Sequence, residues 1–159
     1  MDVPPERIVI GAGAEFMYIL LAQLLGPGAR IAVEDPGYPK IRQVYARSGA
    51  RCLPLPLGEG GVEPRLLYAS GAQAVHISPS HQFPTGIITP MPRRQALLRW
   101  ARETGGYIIE DDYDSELRFT GKPLPTLQSI DGAGSVIYMN TFSQTISPSM
   151  RLAYMALPE

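Results

Sequence analysis

The residues of this 159-residue chain that are best equipped for chemistry fall into five short clusters. GAGAEF, Gly11 to Phe16, is a glycine-rich turn entering a helix. EDPGYP, Glu34 to Pro39, puts Tyr38 on a turn. SPSHQFPTG, Ser78 to Gly86, offers two serines, His81 and Gln82 in a loop stiffened by proline. EDDYD, Glu110 to Asp114, sets four carboxylates around one tyrosine, and NTFSQTISPSMR, Asn140 to Arg151, gathers hydroxyls ahead of a single arginine. A glycine-rich turn at a helix start suits a phosphate, which backbone N–H groups and the helix dipole attract. Each cluster alone has a plainer reading. Gly-x-Gly is a common tight turn. Tyr38 fits a half-buried aromatic, His81 a hydrogen-bonded loop histidine, and Asp112 and Asp114 helix caps or solvated acids. Arg151 by itself is unremarkable.

Short apolar β-rich runs alternate along the chain with segments of helical period, the pattern of a mostly parallel sheet covered by helices. Seven strands are expected: Ile8 to Ile10, Arg30 to Glu34, Arg51 to Leu55, Ala74 to Ser78, Tyr107 to Asp111, Val136 to Asn140 and Leu152 to Leu157. Helices fit Glu15 to Leu25, Tyr38 to Ser48, Glu63 to Ala69 and Pro92 to Thr104, with GPG and RSGA as stop signals. The stretch between Asp111 and Val136 is too polar and too rich in Pro and Gly for one long helix, and reads as a functional or subunit-facing loop or a short helix. In an open α/β sheet, ligands sit beyond the carboxyl ends of the strands. All five clusters lie there, in chain order, and that convergence outweighs the plainer readings.

Composition narrows the function classes. With 45% hydrophobic and 18% charged residues, the chain is ordinary globular material of one domain. A net charge of −1 and a pI near 6.1 give no field for phosphate backbones or anionic lipid, so nucleic-acid contact by this segment is not expected. No apolar run approaches membrane-spanning length, and MDVPPERIVI lacks the features of a signal peptide, so a cytoplasmic protein is the expectation. The lone Cys52 has no internal disulfide partner and reads as a small buried apolar residue.

VEDPGYP, ISPSHQFPTG, YIIEDDYDSE, GKPLPTLQSID and IYMNTFSQTISPSMRLAYMALP, in this order and at these spacings, resemble the pyridoxal-phosphate enzymes of the aspartate-aminotransferase fold. The resemblance is strongest to the aminotransferase-like domain of the MocR-type, GntR-family transcriptional regulators. It implies a three-layer α/β/α fold whose seven-stranded sheet has its seventh strand antiparallel, forming the cofactor-binding large domain over residues 1–159. Pyridoxal phosphate needs a phosphate cradle, a pyridinium partner, a ring clamp and an anchoring lysine. By resemblance, the backbone around Ala12, Gly13 and Ala14 cradles the phosphate, helped by Thr141, Ser143 and the fork of Arg151. Tyr38 stacks on the ring, Asp111 pairs with the pyridinium nitrogen, and Tyr113 sits near the phenolic oxygen. Phe83 departs from the wider fold, which carries there an asparagine that bonds this oxygen, leaving His81 or Gln82 as candidate partners.

The sharpest departure is Gln144. In the family, the position after TFS and seven residues before the phosphate-binding arginine carries the lysine that bonds covalently to the cofactor. An amide nitrogen is not a nucleophile, because its lone pair is delocalised into the carbonyl. The two lysines present, Lys40 and Lys122, stand elsewhere. The chain is therefore expected to bind pyridoxal phosphate weakly and non-covalently, if at all, and to be catalytically inactive. The resemblance further implies a winged-helix DNA-binding domain ahead of this region and a small domain after it, both absent here, a homodimeric parent, and a small amino compound as effector or substrate. A class I/II aminotransferase with a lesion or designed change at the lysine is the alternative. A third reading is a nicotinamide-binding Rossmann domain: Gly11-Ala12-Gly13 follows a strand and Glu34 ends the next, 23 positions on, although bulky Phe16 stands where the third glycine belongs.

Overall fold

The computed structural model describes residues 3–113, 124–142 and 151–158. Its elements are β1 (Ile8–Gly11), α1 (Ala14–Leu25), β2 (Arg30–Asp35), α2 (Pro39–Arg47), β3 (Arg51–Gly58), β4 (Gly61–Val62), α3 (Pro64–Ser70), β5 (Ala74–Ile77), α4 (Met91–Thr104), β6 (Tyr107–Asp111), α5 (Leu127–Ile130), β7 (Val136–Thr141) and β8 (Ala153–Ala156). All seven expected strands and all four expected helices are present. The additions are α5, in the stretch left open as loop or short helix, and β4, a two-residue strand antiparallel to the end of β3. β3 runs on past Leu55 to Gly58, and it accommodates Pro54 and Pro56 because before Leu57 it has β2 on one side only, the edge setting that proline tolerates.

The sheet order is β1-β8-β7-β6-β5-β2-β3-β4. β2, β3, β5, β6 and β7 pair in parallel, while β8 runs antiparallel to both β7 and β1. This order overturns the Rossmann reading. In that fold the first two strands are parallel neighbours around one crevice. Here β1 is an edge strand and four strands, β8, β7, β6 and β5, separate it from β2, so the two are not the neighbouring parallel pair that the nucleotide fold requires.

The central strands read as apolar runs because both faces are covered. Met17, Tyr18 and Leu21 of α1 and Ile41, Val44 and Tyr45 of α2 pack with Val33, Ile109, Ile137 and Met139 on one face. Leu67 of α3, Leu97 and Trp100 of α4 and Leu127 of α5 pack with Val75, Ile77, Ile108 and Val136 on the other. Helix starts and stops follow local chemistry. Pro39, Pro64 and Pro92 open helices within the first turn, where a missing N–H is harmless. Gly71 and Gly105 close α3 and α4 in the left-handed region.

Strand alternation sorts the acids of β6. Asp111 shares the α1/α2 face with Ile109, whereas Glu110 shares the other face with Ile108. There Glu110 accepts the N–H groups of Leu127 (2.8 Å) and Gln128 (2.9 Å), capping α5, and lies 3.6 Å from the fully buried Arg94. Burial pushes the Glu110 carboxyl up to about 7. Arg94 donates to the carbonyl oxygens of Pro79 (2.9 Å), Thr89 (2.9 Å) and Pro125 (3.0 Å). One guanidinium thereby clamps both ends of the loop after β5, which Thr89 N–H closes onto Pro79 O at 2.9 Å. Arg94→Leu leaves the buried carbonyls of Pro79 and Thr89, the Pro125 carbonyl and a buried carboxyl without their cation, and is expected to lower unfolding free energy by about 3–5 kcal/mol in denaturant titration. A loss below about 1 kcal/mol would mean that the loop closes without its clamp.

Candidate functional site

At the carboxyl ends of β2, β5, β6 and β7, on the α1/α2 face, lies a cavity of about 300 Å³. Its wall includes Ala14, Tyr18, Glu34, Tyr38, Arg42, His76, Ser78, Phe83, Asp111, Tyr113 and Thr141. The cavity exists at this spot because the strands end here while α1 and α2 start here. Their N-terminal turns, Gly13–Ala14 and Tyr38–Pro39, face the ends of β5, β6 and β7 across the gap.

The floor is set by Asp111, 4% exposed. Its Oδ2 accepts the Tyr18 hydroxyl at 2.8 Å and His76 Nε2 at 3.2 Å. His76 Nδ1 in turn meets the Tyr45 hydroxyl at 2.7 Å. Burial is the main reason that both Tyr18 and Tyr45 hold their protons well above the usual phenol range, with the Asp111 charge adding to it. Both phenols are therefore donors. Because a carboxylate only accepts, His76 carries its proton on Nε2 and accepts from Tyr45 on Nδ1. Asp111 Oδ1 is also buried, and among the described residues it has no hydrogen-bond partner. A buried carboxylate oxygen in that state is unfavourable by a kcal/mol or more, and a cationic N–H entering the cavity would satisfy it.

The rim carries the anion-binding features. Gly13 has φ +91°, and a Cβ added there would stand 3.1 Å from Arg151 Nε and 3.3 Å from one terminal guanidinium nitrogen. The Arg151 fork thus lies against the turn at the start of α1, and Arg151 itself sits at φ 44°, in the left-handed region. Glycine is required at position 13 both by that backbone and by the close approach. Ala14 and Thr141 line the cavity beside this corner. Tyr38 is 46% exposed at the mouth, with its ring edge-on to Phe83 at 5.9 Å between centroids.

The structure thus brings Gly13, Ala14, Tyr38, Asp111, Tyr113, Thr141 and Arg151 to one corner of the sheet, while Ala12 is exposed on the turn beside them. His81 is exposed and does not line the cavity; its carbonyl accepts the Tyr113 hydroxyl at 2.5 Å and its ring stands 6.3 Å from the tyrosine ring. The Gln82 side chain is turned into its own loop. Its Nε2 donates to Pro36 O, Phe83 O and Glu34 Oε2, and its Oε1 accepts from Thr85. Neither residue offers a side-chain donor to the cavity. Ser143, Gln144, Asp114 and Lys122 lie outside the described residues, and Lys40 is exposed away from the cavity wall. Cys52, expected to be buried, is half-buried. Asp112 turns to the opposite face and accepts the Tyr138 hydroxyl at 2.9 Å.

Three residues were not singled out: Tyr18 and His76, which line the cavity and bond Asp111, and Tyr45, which bonds His76. The available signal for His76 was alternation, since it stands two residues after Ala74 on the strand beside Asp111. Glu34 also lines the cavity, 8% exposed. Its Oε2 accepts Ser78 N–H and Gln82 Nε2, each at 3.3 Å, and burial pushes its carboxyl up to about 7.

No family model matches the chain. It is 42% identical over 154 residues to an HTH-type transcriptional regulator, YdeL, of Bacillus subtilis, covering 97% of this chain and 33% of that protein. It is 40% identical over 156 residues to the HTH-type pyridoxine biosynthesis transcriptional regulator PdxR of Corynebacterium glutamicum, covering 98% and 34%. Among solved structures, it superposes on the α-aminoadipate aminotransferase LysN of Thermus thermophilus, complexed with N-(5'-phosphopyridoxyl)-L-leucine, with a TM-score of 0.89 at 32% identity, covering 98% of this chain and 42% of that one. The chain spans about a third of the length of these two regulators.

The raised Glu34 carboxyl has a consequence for stability. In the folded state it holds its proton from its ordinary 4.5 up to about 7, so its contribution to folding is full below pH 4.5 and is lost as pH rises through 7. Glu34→Gln keeps an oxygen for Ser78 N–H while removing the charge. The variant should gain on the wild type by on the order of 2–3 kcal/mol between pH 5 and pH 8 in urea titrations. A pH-independent difference would show that Glu34 ionises in the folded chain as it does in water.

Proposed function

From the premise that the chain belongs to the pyridoxal-phosphate-dependent aminotransferase-like fold, in the company of MocR-type regulators and aminotransferases, we propose that it is a cofactor-binding regulatory core that holds pyridoxal phosphate reversibly. The observation that carries this reading is the buried, unpartnered Asp111 Oδ1 at the floor of the cavity. A protonated pyridine N–H is the kind of donor it lacks. The corner of Gly13, Ala14, Thr141 and Arg151 would take the phosphate, and Tyr38 would cover one face of the ring.

Bound there, the cofactor would supply an electron-withdrawing ring and an aldehyde that reacts reversibly with amines. The chain's own residues would orient it. Asp111 would pair with the ring nitrogen, and the hydrogen bonds of Tyr18 and His76 would fix that carboxylate in place. Gln144 would offer no nucleophile, so the cofactor would stay exchangeable and open to a small amino compound acting as effector. Among the described residues no helix is long and apolar enough to cross a membrane. Cytoplasmic action in a homodimeric transcriptional regulator fits the kinship with HTH-type proteins.

The match to a transaminase structure favours a second reading, the large-domain part of an aminotransferase altered at position 144. Gln144→Lys in the full-length parent separates the two. Restored transamination supports the enzyme, and cofactor capture without turnover supports the regulator.

Two outcomes are expected of the chain itself. Asp111→Ala should weaken pyridoxal phosphate binding by about ten- to a hundredfold in equilibrium dialysis, and Asp112→Ala by less than about threefold. Equal losses would mean that the ring nitrogen is held elsewhere. Borohydride treatment followed by peptide mapping should leave Lys40 and Lys122 unlabelled; stoichiometric labelling of either would show a covalent anchor.

A further inference from the structure

Resting on the reading that the cavity takes a phosphopyridoxyl ring beneath Tyr38, we infer that Gln82 is the positioning residue of that ring clamp. Its buried amide bridges the turn that carries Tyr38 to the loop that carries Phe83. Both aromatics stand at the mouth, Tyr38 46% and Phe83 48% exposed, so core packing alone does not fix their rings. They meet edge-on, with 88° between their planes. Tyr38 caps α2, and the burial of Ile41, Val44 and Tyr45 secures that side of its turn. The other side needs a hold of its own.

Gln82, 1% exposed, supplies it. An amide nitrogen has two protons to give. The shortest contacts of Nε2 are Phe83 O at 2.5 Å and Pro36 O at 2.9 Å, with Glu34 Oε2 farther off at 3.3 Å. Oε1 accepts the Thr85 N–H at 3.2 Å and the Thr85 hydroxyl at 2.6 Å. The backbone closes the same loop, with Gln82 N–H on Ile87 O at 3.0 Å and Gly86 N–H on Gln82 O at 2.7 Å. Residues 82–87 therefore form one hydrogen-bonded unit, which the amide ties to the carbonyl two residues before Tyr38. The turn between has no slack, because a Cβ at Gly37 would collide with the Glu34 carbonyl oxygen. Both polar atoms of a buried amide are thus spent on joining two turns, which suits a group that orients other residues and touches no ligand. Such a bridge sets Tyr38 over the ring before binding and lowers the entropy lost there.

The test uses the whole chain and two probes, pyridoxal phosphate and inorganic phosphate, the second reporting the anion corner alone. Gln82→Met should weaken pyridoxal phosphate about tenfold and leave inorganic phosphate within about twofold. Gln82→Asn, which keeps an amide and shortens its reach by one methylene, should show the same selective loss. Thr85→Val, which spares the bridge to Pro36, should bind both probes as the wild type does. Tyr38→Ala should itself weaken pyridoxal phosphate about tenfold, and adding Gln82→Met to it should cost less than about twofold more, since the bridge then has no ring to place. In the ligand-free chain, the proton Overhauser contact between the Tyr38 and Phe83 rings should vanish in Gln82→Met and persist in Thr85→Val. Equal weakening of both probes, additive losses with Tyr38→Ala, or a ring contact intact in Gln82→Met overturns the assignment. Should pyridoxal phosphate not bind the wild type, the cofactor reading falls and this inference with it, whatever the ring contact shows.

Discussion

A single carboxylate, half satisfied, organises this molecule. Asp111 is buried at the end of a central parallel strand, with Tyr18 and His76 on one oxygen and no described partner on the other. Keeping such a group inside a folded chain is unfavourable unless something else meets it. The surrounding architecture turns that deficit into a directed site. A buried carboxylate oxygen lies at the floor, the Arg151 guanidinium stands against the Gly13 turn at the rim, and aromatic side chains stand at the mouth. A small ring bearing a protonated nitrogen at one end and a phosphate at the other matches this polarity.

The scaffold supplies rigidity where the site needs it. Arg94 and Glu110, on the far face of the sheet, tie the loop after β5 and the start of α5 to the strand that carries Asp111. Glu34 reaches from β2 to the first residue of the same loop. The loop that bears Ser78 and Phe83 is thus anchored from both faces, so the cavity wall is set before any ligand arrives. Preorganisation of this kind lowers the entropy lost on binding.

Much of this was legible in the sequence. The strands were visible because apolar runs buried on both faces have a plain signature, and described residues of the polar clusters, among them Ala14, Tyr38, Ser78, Asp111 and Thr141, meet at one edge because parallel strands all end there. The choice of Asp111 over its neighbours followed the motif, and alternation along β6 supplies the physical reason. Less was legible where the determinant is contact across elements. The Tyr45–His76–Asp111–Tyr18 chain joins four elements far apart in sequence, and no local pattern announces it. The two-residue β4 is too short to have a period. His81 and Gln82 were plausible as polar loop residues, yet loop closure points one outward and the other into its own turn. The nucleotide-fold alternative shared the local turn and acid spacing and failed only on strand order, which spacing does not encode.

The measurement that bears most directly on this account is the nitrogen-15 chemical shift of the pyridine ring in labelled pyridoxal phosphate bound to the chain, followed as pH is raised. If Asp111 meets the ring nitrogen, that nitrogen stays protonated well above the pH at which the free ring loses its proton, and Asp111→Ala abolishes the effect. A bound ring that titrates like the free cofactor, or one unaffected by the substitution, would contradict the central claim.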